Sequence, residues 1–196
     1  MKTRGLFAIC TVALGLILPF GCKGGALKLT IDGSDKTFEP SSGILFASTK
    51  TFSEPDGKGG FKQGKASAHS LYLTNFLPKA DVKNLQEKTA PAAQGNVRVD
   101  MSFIGKEGTE AGGAGPTAPL VVATYSAKAE KFQKVESIGI TVIVDGKPKE
   151  YSFDSAKTEG SVKITSADGD TVAGEIDLRD GKNAIAGSFK TKLQKP

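Results

Sequence analysis

Chemistry needs side chains that can move protons, hold metals or attack bonds, and this chain offers few of them. His69 is the only histidine among 196 residues, and histidine is the side chain whose ordinary pKa lies near neutrality. Any Ser-His-Asp or histidine–metal scheme would have to use it. Ser67 and Ser70 stand close by in sequence, and an immediate neighbour such as Ser70 points to the opposite face of a strand. The pattern puts His69 on the face of Leu71 and Leu73, so a buried structural histidine is expected. No Gly-x-Ser-x-Gly elbow occurs. Glu175 and Asp177, two apart on a strand, share a face, as the carboxylates of a glycosidase pair do. Val172, Ile176 and Leu178 take the opposite face, and the expected partners of the two carboxylates across the turn are Ala186 and Ala184. That is the pattern of an outward, hydrated face. Asp168, Asp170 and Asp180 could offer oxygens to calcium, yet no recognised loop spacing surrounds them, and aspartate is common in turns. Zinc is worse served, because one histidine and two cysteines, Cys10 and Cys22, are all the nitrogen and sulfur ligands in the sequence. The run from Gly105-Lys106-Glu107-Gly108 to Gly112-Gly113-Ala114-Gly115 lacks the Gly-Lys-Ser/Thr ending of a phosphate loop. It reads as a long flexible loop, and as the best place for a partner contact. No catalytic residue, metal ligand or cofactor is assigned.

The elements that must position these groups are strands. Asp-Gly pairs recur at Asp32-Gly33, Asp56-Gly57, Asp145-Gly146, Asp168-Gly169 and Asp180-Gly181, and Asp-Gly between alternating apolar runs is a strong hairpin signal. The expected fold class is all-β, an antiparallel β-sandwich or barrel-like meander built on Asp-Gly hairpins. Register follows by arithmetic. A two-residue turn at Asp145-Gly146 sets Ile140 opposite Tyr151 and Ile138 opposite Phe153. One at Asp180-Gly181 sets Ile176 opposite Ile185 and Val172 opposite Phe189. A one-residue slip would send each apolar set to the wrong side. At Asp168-Gly169 a two-residue loop would oppose apolar to polar. A three-residue loop with Gly169 at positive φ restores parity there, placing Ile164 against Val172 or Gly174. Residues 137–193 are expected to form one continuous antiparallel meander.

Earlier in the chain, Leu27, Leu29 and Ile31 mark a first strand. Residues 44–47, 71–76, 97–104 and 120–125 read as further strands. Glycine- and proline-rich connections fill 55–65, 88–96 and 105–119. Residues 81–87 suit one or two helical turns, and residues 127–135 fit either a short helix or a twisted strand. No repeat of solenoid or propeller length is present.

The N-terminus has the three parts of a secretory signal. Lys2 and Arg4 supply positive charge. Residues 6–20 are apolar and uncharged, and Pro19 and Gly21 break the helix just ahead of Cys22. The run is shorter than the roughly 20 apolar residues a membrane-spanning helix needs; a retained N-terminal helix is the alternative. Gly21-Cys22 resembles the lipoprotein signal, in which a small residue precedes the cysteine that takes the diacylglycerol. Pro19 and Phe20 depart from that pattern, which leaves open an ordinary cleavage after Ala26. The resemblance implies residues 1–21 as signal peptide, Cys22 as the lipidation site, 22–25 as tether and 26–196 as one β-rich domain. Lysine rather than aspartate at position 23 implies the outer membrane or cell surface; a periplasmic or secreted protein is the alternative. The cadence Gly160-Ser161-Val162-Lys163-Ile164-Thr165, Gly174-Glu175-Ile176 and Gly187-Ser188-Phe189 resembles uncharacterised β-rich bacterial lipoproteins, over the last forty residues only and with no activity attached.

Composition agrees. Removing Lys2 and Arg4 leaves 24 basic against 21 acidic side chains, a net +3, too mild for a nucleic-acid footprint. Lys190, Lys192 and Lys195 fit a solvated strand face. Tryptophan is absent, which weakens any carbohydrate-stacking platform. Once Cys10 is cleaved away and Cys22 acylated, the mature domain has no thiol and no disulfide, and its core alone must hold it. The expected function is that of a lipid-anchored envelope protein whose partner is a membrane, with a non-catalytic binding or structural module. An envelope hydrolase using carboxylates, and a small-ligand carrier with a barrel-like cavity, are the alternatives.

Overall fold

Alternation of apolar and polar residues becomes strand after strand in the computed structural model, which describes residues 25–108 and 120–194. In β1 (Leu27–Ile31) the odd positions are buried and Lys28 is exposed. Asp32 and Gly33 then turn the chain into β2 (Ser34–Phe38), both with positive φ, 46° and 79°. That is the two-residue hairpin backbone Asp-Gly favours. Next come β3 (Ser42–Pro55), β4 (Phe61–Thr74), β5 (Val97–Glu107), β6 (Thr124–Ser126) and β7 (Lys134–Val144). The chain ends with β8 (Lys147–Ser152), β9 (Glu159–Asp168), β10 (Thr171–Arg179) and β11 (Ala184–Gln194). One helical turn, α1 (Leu85–Lys88), begins where the Asn84 side chain accepts from the Glu87 N–H at 3.1 Å. The protein is all-β.

All eleven strands among the described residues belong to one mixed sheet. Its hydrogen-bonded path runs β10-β9-β6-β7-β5-β4-β3-β11, and β11 pairs back with β10, so the path closes on itself. Most contacts are antiparallel. The two parallel ones are short: β6 meets β7 at Ser126 and Lys134, and β11 meets β3 at residues 193–194 and 43–44. The β1–β2 hairpin pairs through β1 with residues 184–187 at the start of β11, and β8 hangs on β7.

Inside the closed wall lies one core. Leu27, Leu71, Val99, Met101, Phe103, Ile140, Val162, Val172, Leu178 and Ile185 are among its buried residues, drawn from strands all round the ring. At about 25 cal/mol per Å2 of apolar area removed from water, such burial is the main favourable contribution to folding. Phe103 and Tyr125, with ring centroids 4.9 Å apart, carry the packing across the thin β6–β7 seam.

Several expectations need correction. The register at Asp145-Gly146 is as expected: Ile140 faces Tyr151, and the Phe153 N–H bonds to the Ile138 carbonyl at 3.0 Å. At Asp180 the loop has four residues instead of two. Leu178, not Ile176, faces Ile185; Ile176 faces Gly187, and Phe189 faces Gly174. The cause is Asp180 itself, whose carboxylate accepts the Lys182 and Asn183 N–H groups at 2.9 and 2.7 Å. The shift is by two, so the inward face is kept. The middle loop has two residues, Gly169 and Asp170, because Thr171 pairs with Asp168. Parity is restored inside β9 instead, by a bulge at Thr165 that brings Ile164 opposite Gly174. Gly169 does take positive φ, 54°. The 137–193 meander is broken, since among the described residues β8 pairs only with β7, while β9 pairs with β6 and β10.

β3 and β4 also run far beyond the expected 44–47 and 71–76. They form an unbroken ladder from Ser42–Thr74 to Pro55–Phe61, and only 56–60 is loop. Residues 127–133 form turns and bends, neither helix nor strand. This segment latches the ribbon from outside. The Phe132 ring packs edge-on against Phe52 at 5.5 Å, Lys131 pairs with Glu54, and Lys50 pairs with Glu136.

Candidate functional site

His69 sits on the inner wall, 2% exposed, between Ala47 of β3 and Phe103 of β5. Its place in the β4 ladder keeps it on the Leu71 and Leu73 face, as the sequence pattern requires. Ser70 points the other way and shares a 3.4 Å contact with Ser102. Ser67, two residues before His69 on β4 and 4% exposed, shares the inner face with it.

Glu175 and Asp177 share the outer face of β10. Their cross-strand partners on β11 are Ser188 and Ala186, in place of the expected Ala186 and Ala184, because of the longer Asp180 loop. Both carboxylates border a shallow depression of about 430 Å3, floored by Ser161 and Gly187. Lys163 lies 3.9 Å from Glu175, with both side chains more than half exposed.

The turn aspartates are occupied, Asp180 with backbone amides and Asp168 and Asp170 with neighbouring side chains. Asp180 also accepts the Asp154 N–H at 3.0 Å. Burial works upward on its carboxyl, but bonds from the Asn183, Asp154 and Lys182 amides outweigh burial and hold it below the usual carboxylate range. Asp168 accepts from Ser166 at 2.9 Å, and Asp170 lies 3.5 Å from Lys192. Among the described residues no group of three histidine, cysteine, aspartate or glutamate side chains converges as a metal site. Cys22, the rest of the signal and tether through Gly24, and 109–119 of the glycine-rich loop lie outside the described residues.

Sequence reasoning missed a charged cluster on the outer wall. Arg98 of β5 is 3% exposed. Its Nε donates to Asp100 at 2.9 Å, a terminal nitrogen donates to the Gln86 carbonyl at 3.4 Å, and another lies 3.7 Å from Glu150 of β8. The Tyr72 ring centroid is 5.9 Å from the guanidinium. Burial pushes the Asp100 carboxyl above its usual range, against the pull of Arg98. Burial, and next the Asp100 charge, likewise raise the Tyr72 hydroxyl. Opposite Asp100 stands Gly139, where a Cβ would come within 3.0 Å of Oδ2. That glycine inside an apolar strand was the available signal, since strand glycines mark close approach. The cluster fastens β8 and the α1 connection to the wall.

A second feature is the seam itself. Between its single β6 contact at Lys134 and the start of β8 pairing at Gly139, β7 leaves a cleft of about 210 Å3. Ser137, Ser155 and Thr158 line it with Ile138 and Phe153. Its one carboxylate, Glu136, is paired with Lys50. Such a lining suits binding of a small polar group better than acid–base work, which needs a positioned and tuned proton carrier.

No described helix is long and apolar enough to cross a membrane. Compared with protein-family models, with curated proteins and with solved structures, the chain matches none.

Proposed function

We propose that this chain is an exported, lipid-anchored protein of the cell envelope whose β-domain is a non-catalytic binding or structural module. The observation that carries the reading is how near the cysteine stands in sequence to the folded wall. An apolar signal-like segment ends at Gly21-Cys22, and by Gly25 the chain already lies against β11, where a Cβ would touch the Ser188 carbonyl at 2.2 Å. Three residues span at most about 11 Å, so a lipid on Cys22 holds the domain close to the bilayer surface. Acyl chains in number give stable anchoring where one gives marginal binding. The non-catalytic part is supported by the separation of candidate groups: His69 faces inward, while Glu175 and Asp177 face water. Against a carrier role, the closed wall encloses packed side chains such as Phe38, Phe103, Tyr125 and Phe189.

Labelled fatty acid fed to cells making the full chain tests the anchor. The wild type takes up label and partitions with membranes, and Cys22→Ala gives an exported soluble protein without label. A wild type that carries no label, with a mature N-terminus after Ala26, refutes the anchor.

A further inference from the structure

We infer that the free edge of β3 is a self-association surface, on which a second copy of this chain pairs antiparallel about a two-fold axis at Phe52. Past Ile44, where the parallel contact with β11 ends, β3 runs to Pro55 with β4 as its only strand neighbour among the described residues. The Asp56 N–H bonds to the Gly60 carbonyl, and the Asn75 N–H bonds to the Val97 carbonyl on the far side of β4. Alternation along antiparallel ladders then turns the even-numbered backbone of β3 toward β4 and the odd-numbered backbone outward. Thr51 and Ser53 therefore aim N–H and C=O groups at solvent, and both residues are exposed.

Open edges invite pairing, and proteins blunt them with shortness, lysine, proline or bulges. The two strands that end branches of the sheet show this treatment. β2 has five residues including Asp35 and Lys36, and β8 has six beginning Lys147-Pro148-Lys149. β3 does not. Its fourteen-pair ladder carries no bulge, its proline comes only at the last residue, and Phe52 and Thr51 are strand-favouring types.

The occupant is specified by the strand's own charges. Centring the two-fold on Phe52 opposes Lys50 to Glu54 of the second copy, and Glu54 to its Lys50. Centring on Lys50 or Glu54 would oppose like charges, which destabilises cross-strand pairs. The Phe52 register also makes Thr51 and Ser53 of the second copy a hydrogen-bonded pair, matching the outward odd backbone. Phe52 meets its own image in the closer, non-hydrogen-bonded position. Because Lys50 already pairs with Glu136 and Glu54 with Lys131, the two copies would join these pairs into one network of alternating sign. An isologous contact of this kind closes after two copies.

The test is site-specific crosslinking of the full chain in mild detergent, with the parent chain as control for Cys10 and Cys22. Phe52→Cys is expected to crosslink to itself on mild oxidation, and Ser48→Cys is not, since its image lies eight residues along the strand, roughly 26 Å away. Thr51→Pro removes an outward donor that β4 does not use, a change edge strands tolerate. It deletes one hydrogen bond per copy, and at about fivefold each, association measured by sedimentation should weaken on the order of 25-fold. Ser53→Pro is expected to do the same, should Thr51→Pro alone perturb folding. A chain that stays monomeric at all accessible concentrations, equal crosslinking at positions 48 and 52, or association unchanged by both prolines would overturn the proposal. Capture of a different protein's strand by a monomeric chain would overturn it as well.

Discussion

Ile176 and Glu175 are neighbours on β10, and replacing each with lysine separates the two faces of the wall. Ile176 is 2% exposed and faces Val162 of β9 and Gly187 of β11. Removing its buried side chain costs about 1.5–3 kcal/mol in lost burial. The lysine that replaces it must either bury an ammonium or give up its proton, and each unit of pKa displacement costs about 1.4 kcal/mol. Two units bring the total to roughly 4–6 kcal/mol, a large share of the 5–15 kcal/mol that typically holds a domain together. For a domain of this size, 1 kcal/mol moves Tm by about 2–4 °C, so Ile176→Lys should lower it by at least about 8 °C. Glu175 has a 63% exposed side chain and a long 3.9 Å contact to Lys163. Exposed pairs of this kind contribute about 0.2–1 kcal/mol, and Glu175→Lys should move Tm by no more than about 4 °C. Urea and thermal unfolding followed by circular dichroism measure both. Equal losses at the two positions, or a larger loss at 175, would show that the face assignment of β10 is wrong.

Gly160→Ala should cost about 2 kcal/mol or more, because φ is 97° and the new Cβ would lie 1.9 Å from the Asp177 carbonyl oxygen. Gly57→Ala, at φ 72° with nothing within 4 Å, should cost only about 1 kcal/mol, and urea midpoints of the two variants give the comparison. In cells lacking the gene, His69→Ala and the Glu175→Gln, Asp177→Asn double variant should each restore whatever the deletion removes. Loss of function in either, with an unchanged Tm, would replace the non-catalytic reading with the hydrolase.

Much of the fold was legible because strand parity is local. A period of two needs no knowledge of the partner strand, so the inward faces of β1, β7, β9 and β10 follow from residues such as Leu27, Ile140, Val162 and Ile176. The Asp32-Gly33 and Asp145-Gly146 turns were legible for the same reason, since the dipeptide itself supplies two residues of positive φ. The cadence of Gly160 and Gly174 was visible but not its cause: at each, a side chain would strike the backbone of the neighbouring strand, within 1.9 and 2.6 Å.

The candidate site was less legible. His69 and the outward carboxylates could be placed by parity, whereas Arg98, Asp100 and Glu150 looked like ordinary alternation until β8 folded over them. Tertiary structure alone decided that Asp180 would capture three amides and lengthen its loop, and that β9 would absorb its mismatch by a bulge. It also decided that β9 would leave β8 for β6, and that the wall would close through two short parallel seams. The β3–β4 ribbon extends to Pro55 and Phe61 because Lys131 and Phe132, some eighty residues away, clamp it. The physical reason is common to all of these. Side-chain direction is fixed by covalent geometry within a few residues, but partner choice is fixed by which distant surfaces bury the most apolar area and satisfy the most backbone groups.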